Sequence, residues 1–222
     1  MSAPRRRFLR RLAVRLGILL RSVEREVDAA TLPAFANHPR NLRIESPRTV
    51  VNPSCITIGD QVSLGPGCQL NAIRRYPGAW MSGGPDTEPQ QFEPSIVIGD
   101  RVSATGYLTI GAALSVTIED DVLIAGHVFI SDNQHGMGGG DVPFKYQPLE
   151  RIAPVRIGRG TWLGEHVVVL SGVSIGEMCV IGANSVVTGS IPPRCVAVGS
   201  PARVVRRWDA ATQGWQPAPG GS

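Results

Sequence analysis

An aliphatic side chain recurs every six positions along most of this 222-residue chain. The anchors fall in threes: Ile58, Leu64 and Leu70; Ile98, Ala104 and Ile110; Ile118, Ile124 and Ile130; Ile157, Leu163 and Val169; and Ile175, Ile181 and Val187. All fifteen are hydrophobic, where an overall content of 42% would supply about six by chance. Such a period predicts one short strand and one tight turn per hexad. Three hexads then close a triangular coil of about 18 residues, and coils stack by parallel pairing roughly 4.8 Å apart. The residue four places after each anchor should also point inward. It is small or aliphatic in thirteen of the fifteen hexads, among them Val62, Cys68, Val102, Val122, Val167, Val173, Cys179 and Ser185. Glycine directly follows eight anchors, which is expected if the corner turns need backbone angles that a Cβ disfavours.

The exceptions at the second inward position are Arg74 and Gln134, each in the third hexad of a coil just before the repeat breaks off. One interruption runs over 76–97 and the other over 136–156, while the extra Val116 and Thr117 interrupt more gently. All three follow a completed set of three hexads, so they should leave the prism from one corner, where two long loops can wall a pocket. Ile44, Val50 and Ile56 suggest a partial coil at the amino-terminal end. Before it, Phe8, Leu12, Leu16, Leu19, Leu20 and Val23 recur at three- and four-residue spacing with arginines between them, which predicts a helix over 5–30. The organisation expected is a basic amphipathic helix and linker over 1–40, a β-helix domain over 41–208, and a Pro- and Gly-rich disordered tail over 209–222.

Composition agrees with a turn-rich β structure: Gly 26, Pro 18, aromatics 5%, charged residues 18%. The net charge of +4 does not describe a nucleic-acid face, because Arg5, Arg6, Arg7, Arg10, Arg11, Arg15 and Arg21 all lie in the predicted helix. That helix leaves two readings open: one that caps the prism or packs in an oligomer, or one that rests on an anionic membrane surface over 5–30. Cys55, Cys68, Cys179 and Cys195 show no metal-finger spacing and read as reduced, small core residues. The apolar stretch 12–20 is short, broken by Arg15 and followed by no small-residue cleavage site, so a cytoplasmic location is expected.

Candidate chemistry centres on His135, the last residue before the second long loop. An imidazole placed between two loops can take a proton near neutral pH while water is excluded. From Val116 onward the chain resembles the hexapeptide-repeat acyltransferases, the galactoside and maltose O-acetyltransferases in particular. The resemblance is carried by VTIEDDVLIAG, the corner SDNQHG, RIGRGTWLGEHVVVLSGVSIG, VIGANSVVTGSIPP and VAVGSPARVVR. It implies an all-β fold, a left-handed parallel β-helix, although parallel crossovers are right-handed in most folds and the repeat alone does not fix the hand. It also implies a homotrimer with acetyl-CoA as co-substrate and a sugar or glycan acceptor. By the same resemblance His135 is the catalytic base, Trp162 lines the active-site tunnel, and Glu165, Ala183, Thr188, Arg203 and Arg206 contact the coenzyme.

The departures matter as well. Gly189 stands where the family has Lys, and Thr105 and Ala113 occupy the family's acceptor-binding Asn and Asp positions. Together with Tyr76, Trp80 and Phe92 in the first loop, they point to a larger glycan or lipid-linked sugar, as in capsule, exopolysaccharide and O-antigen synthesis, while a second reading of the same aromatic residues, as anchors of the loop, stays open. Glu150 ends the second loop, where it would orient His135 or hold a substrate hydroxyl. Three other readings stay open. N-acetylation of an amino sugar would use the same fold and coenzyme, and a trimeric prism could act as a non-catalytic scaffold. A zinc site would draw on His127 and His166, which should stack on successive coils; with no third ligand at suitable spacing, no metal is expected.

Overall fold

The computed structural model describes residues 3–78, 88–138 and 140–218. Short strands form a parallel prism with three faces, and each face collects one anchor from every coil. Face I stacks Ile56–Ile58, Ser95–Ile98, Ser115–Ile118, Val155–Ile157 and Ser174–Ile175. Face II runs from Arg43–Ile44 through Ser63–Leu64, Ser103–Ala104, Leu123–Ile124, Trp162–Leu163 and Val180–Ile181 to Cys195–Val198. Face III holds Arg48–Val51, Cys68–Ala72, Thr109–Ala112, Phe129–Ser131, Val168–Val169 and Val186–Val187. On face II Leu64 lies opposite Ala104, Ala104 opposite Ile124, Ile124 opposite Leu163 and Leu163 opposite Ile181. The anchors line the interior, all of them at most 7% exposed.

Two expectations about the repeat need correction. Leu114 stands at a second inward position yet points to solvent. The chain takes two extra residues between faces III and I in this coil, so Val116 fills the interior in its place, while Ala113 is buried outside it, beneath the loops. The glycines after the anchors also have a different cause from the one expected. Gly65 does not have a positive φ, but a Cβ there would lie 1.9 Å from the carbonyl oxygen of Thr105 in the next coil. The left-handed residue comes two positions later in the hexad and is seldom glycine: Gln61, Arg101, Tyr107, Asp121, His127, His166, Met178 and Asn184 all have φ between 52° and 59°. Glycine is thus selected by the closeness of the rungs, and the corner angle is met by ordinary side chains held between neighbouring coils.

Both long loops leave from the ends of face III strands and return at the starts of face I strands, two coils apart. At the amino terminus an α-helix, α1 (Ala3–Ala30), precedes the first coil. None of the described helices is long and apolar enough to cross a membrane. The described cysteines are all free; burial pushes the thiols of Cys68, Cys179 and Cys195 up, which keeps them protonated and inert.

The tail is the third correction. Residues expected to be disordered after Trp208 instead turn back, and Gly214–Pro217 pairs antiparallel with Arg203–Asp209, which itself extends face II. Trp208 and Trp215 lie opposite each other with ring centroids 5.4 Å apart, so a cross-strand aromatic pair outweighs the loop-like composition around it.

Candidate active site

The corner between faces III and I is built by a buried carboxylate. Asp132 is fully buried, and its oxygens accept the backbone N–H groups of Ala113 (2.8 Å), Leu114 (2.7 Å) and Ser115 (2.6 Å) from the preceding coil. Asn133 donates from Nδ2 to the same carboxylate. This arrangement fixes where the second loop departs, and with it the backbone that carries His135.

Each loop begins as a small antiparallel ladder. Arg75–Tyr76 pairs with Gln90–Gln91 in the first, and Gln134–His135 with Leu149–Glu150 in the second. The two ladders are joined by the side chain of Gln90, whose Oε1 accepts Leu149 N–H (2.6 Å) and whose Nε2 donates to Leu149 C=O (3.1 Å). Beneath them Tyr76, Ala113 and Leu149 are buried with Ile73, Phe92 and Ile152 packed around them, a second apolar cluster separate from the prism interior. Gln147 ties the second loop internally by accepting Gly138 N–H and donating to Val142 C=O.

His135 itself is exposed and meets Tyr76 edge-on, with ring centroids 5.3 Å apart. Its Nδ1 lies 3.0 Å from the Tyr76 hydroxyl, and that hydroxyl lies 2.5 Å from the carbonyl oxygen of Lys145. A carbonyl can only accept, so the single phenolic proton goes to Lys145. The phenol oxygen must then accept from His135, which places the imidazole proton on Nδ1 and leaves Nε2 with its lone pair free. Burial raises the Tyr76 phenol above its ordinary range, which keeps that proton in place.

Tyr76 has two readings from sequence, a platform for a sugar ring or an anchor of the loop, and the second is the one observed. It is only 8% exposed and its hydroxyl is engaged, so it supports the imidazole from below. Trp80 lies outside the described residues. Glu150 sits opposite Gln134 in the ladder, one register position from His135, and a Cβ on Gly136 would come within 2.9 Å of its Oε1. The side chain that touches His135 Nδ1 is therefore Tyr76.

All but one of the residues expected to hold the coenzyme lie elsewhere on the prism; Thr188 is on the corner between faces III and I. Trp162 projects from face II, exposed, in the same column as Val180, Val196 and Arg206. Arg203 and Arg206 are on the strand that extends this face, opposite Val198 and Val196, and both are exposed. Glu165 and Ala183 follow one another at the corner between faces II and III, and Thr105 occupies the same corner two coils earlier. Thr188 follows the last anchor of face III. In a triangular prism the corner between faces III and I is opposite face II. One chain therefore keeps His135, Tyr76 and Glu150 on one side and Trp162, Arg203 and Arg206 on the other.

A second cluster occupies the corner between faces II and III. Tyr107, His127 and His166 form a ladder of stacked rings, 4.6 and 4.7 Å between centroids. Glu165 adds a carboxylate 4.0 Å from His127 Nδ1, a third group that spacing alone did not suggest, and the ligand atoms of His127, Glu165 and His166 all lie within 4.8 Å of one another. The two imidazole planes are only 20° apart, so their in-plane lone pairs run side by side and do not converge on a point. All three side chains are exposed.

Gln90, Asp132 and the Lys145 carbonyl escaped the sequence reading. Gln90 and Lys145 lie in loops outside the repeat, and Lys145 acts through its backbone, which no side-chain pattern reports. Asp132 could have been suspected as a carboxylate beside Asn at a corner.

Residues 154–189 match the family model described as bacterial transferase hexapeptide (six repeats). The chain is 36% identical over 187 residues to a protein of Escherichia coli (strain K12) provisionally named lipopolysaccharide biosynthesis O-acetyl transferase WbbJ, a match covering 81% of this chain and 86% of that one. It is 30% identical over 188 residues to galactoside O-acetyltransferase of the same strain, covering 82% and 79%. Among solved structures it is similar to AntD, an N-acyltransferase from Bacillus cereus in complex with dTDP and 3-hydroxybutyryl-CoA. That match has a TM-score of 0.62 at 19% identity over 80% of this chain and 86% of that one, a likeness of fold.

Proposed function

The chain belongs to the bacterial hexapeptide-repeat acyltransferases, and from that premise we propose that it transfers an acetyl group from acetyl-CoA to a hydroxyl of a sugar or polysaccharide precursor, with His135 as general base. The observation that carries the reading is the order of donors from His135 through Tyr76 to Lys145, which leaves Nε2 as the basic nitrogen. On this reading Nε2 accepts the acceptor's hydroxyl proton as its oxygen bonds to the thioester carbonyl. The C–S bond then breaks, and the same proton passes from Nε2 to the departing thiolate. General-base help of this kind contributes about 10² to 10⁴-fold, with positioning supplying much of the rest. Glu150 is placed to hold a neighbouring hydroxyl of the acceptor.

The coenzyme is assigned to face II. Trp162 offers a flat apolar wall, and Arg203 and Arg206 offer forked donors for phosphates. Since His135 is on the opposite side of its own chain, the site is completed by a second copy, whose face II meets the first copy's loop corner. A homotrimer of left-handed prisms, with three such sites, satisfies every chain at once. Thr105 belongs to that same composite surface, through the neighbouring copy.

The test is to mix two inactive variants, His135→Ala and the double variant Trp162→Ala with Arg206→Ala, refold them together and measure acetyl-CoA thioester cleavage with a glycan acceptor. A quarter or so of the parent activity should return, because random trimers place an intact corner against an intact face at about one site in four. Activity that stays absent in the mixture, or a His135→Ala protein as active as the parent, overturns the reading. Mass spectrometry of the product, with hydroxyl-only and amino-sugar acceptors offered side by side, separates O- from N-acetylation.

A further inference from the structure

Helix α1 leaves an apolar face uncovered. Leu12, Leu16, Leu19, Leu20, Val23 and Val27 are each about half exposed, between 48% and 59%. At 3.6 residues per turn they fall within an arc of about 100°, wider than a two-residue coiled-coil seam. Arg6, Arg10, Arg11 and Arg15, all exposed, lie on the remaining circumference, interrupted by Val14 and Ile18.

The attitude of the helix is fixed at its base. Asp28 Oδ1 lies 3.0 Å from Arg48 Nη1, and the pair is largely buried, at 18% and 8% exposure. Arg48 also donates from Nη2 to the Asp28 carbonyl (2.9 Å) and to Thr31 Oγ1 (2.7 Å), and Ser46 N–H donates to Asp28 Oδ1. The first coil therefore grips the last turn and holds the rest clear of the prism.

Charge decides what covers the free part. Residues 1–23 contain seven arginines and no Asp or Glu, although the whole chain carries only +4, so the remainder is net negative. Packing this segment in parallel against the same segment of another copy would align arginines with arginines; the first carboxylates that flank the seam, Glu24 and Glu26, come only at its carboxy-terminal end beside Val23 and Val27. An anionic bilayer matches both halves of the pattern: acyl chains take the leucine and valine arc, and lipid phosphates meet the guanidinium groups. We infer that α1 is an in-plane membrane anchor for anionic lipid surfaces and holds the loop-bearing prism beside them. This assignment stands apart from the acetyl-transfer reading.

The experiment is co-sedimentation of the full chain with vesicles of phosphatidylglycerol and phosphatidylcholine, against vesicles of phosphatidylcholine alone. Binding is expected to the anionic vesicles, at least tenfold weaker to the neutral ones, and to fall as salt is raised. Leu16→Glu with Leu20→Glu should abolish it, Arg10→Gln with Arg11→Gln and Arg15→Gln should weaken it at least tenfold, and thioester cleavage with a soluble acceptor should be unchanged in both. Equal binding to both kinds of vesicle, no binding to either, or variants that bind like the parent would overturn the inference. So would a smaller assembly of the leucine variant in lipid-free solution, since α1 would then be covered by another copy.

Discussion

His135 Nδ1 stands 3.0 Å from the hydroxyl of Tyr76, a residue 59 positions earlier in the chain, and this contact selects the tautomer of the imidazole. Tyr76→Phe keeps the ring and the apolar cluster beneath it but removes the acceptor that holds the Nδ1 proton. A neutral hydrogen bond contributes about 0.5 to 1.5 kcal/mol, so kcat should fall roughly three- to tenfold. The KM for acetyl-CoA should not move, because face II is untouched. The phenol's raised pKa adds a direction: its proton is lost only above the ordinary tyrosine range near 10, so the relay persists through neutral and mildly alkaline pH. A steady-state pH series on both proteins checks it, and equal kcat values across the range would remove Tyr76 from the mechanism.

Gly189 has open space around its Cα, with no atom within 4 Å of the place a Cβ would take. Gly189→Lys should fold like the parent and lower the KM for acetyl-CoA by about threefold or more, since it adds a cation at the position where the family resemblance implies a lysine. The gain should shrink at high salt. A KM unchanged at low ionic strength would show that the phosphates lie away from this corner.

Gly65 is the opposite case. A methyl group there meets the Thr105 carbonyl oxygen at 1.9 Å, and backbone on both sides prevents an easy adjustment. Gly65→Ala should cost about 1 to 3 kcal/mol or more, the range of overpacked interiors, while Gly189→Ala should be close to neutral. Urea midpoints of the two variants, measured side by side, give the comparison. Equal midpoints would mean that the rungs can separate enough to admit a methyl group.

Asp132 holds three backbone N–H groups of the preceding coil, so Asp132→Ala should leave three donors unpaired, that of Ala113 buried and those of Leu114 and Ser115 part-buried. At about 1 to 3 kcal/mol for a buried unsatisfied group and less for donors that water can reach, a loss of about 2 kcal/mol or more is expected, together with a marked drop in kcat as the His135 corner loosens. Differential scanning calorimetry and turnover should fall together. Full stability with reduced turnover would instead mean that Asp132 acts on the reaction directly.

Part of this protein was legible in its residues. Anchors such as Ile58, Leu64 and Leu70 specify rungs and faces because side-chain burial alternates along any strand, and a six-residue period closes into stacked three-sided coils, of either hand. The place where the loops leave followed from Arg74 and Gln134, polar groups that cannot occupy an apolar interior. The proposed coenzyme face and base rest on resemblance at Trp162, Arg203, Arg206 and His135, residues that the repeat itself does not single out.

Other features were decided only by tertiary structure. Tyr76 reads from sequence equally as a sugar platform or a loop anchor, and a loop ladder turns it inward and makes it the proton acceptor of His135. The glycines after the anchors read as turn residues, whereas at Gly59, Gly65, Gly99, Gly158, Gly164 and Gly176 the spacing of neighbouring backbones is what excludes a Cβ. Trp208 and Trp215 pair across a turn inside a stretch whose composition suggests no order. In each case the cause is a contact between segments that no local period connects, and such a contact exists only once the coils have stacked.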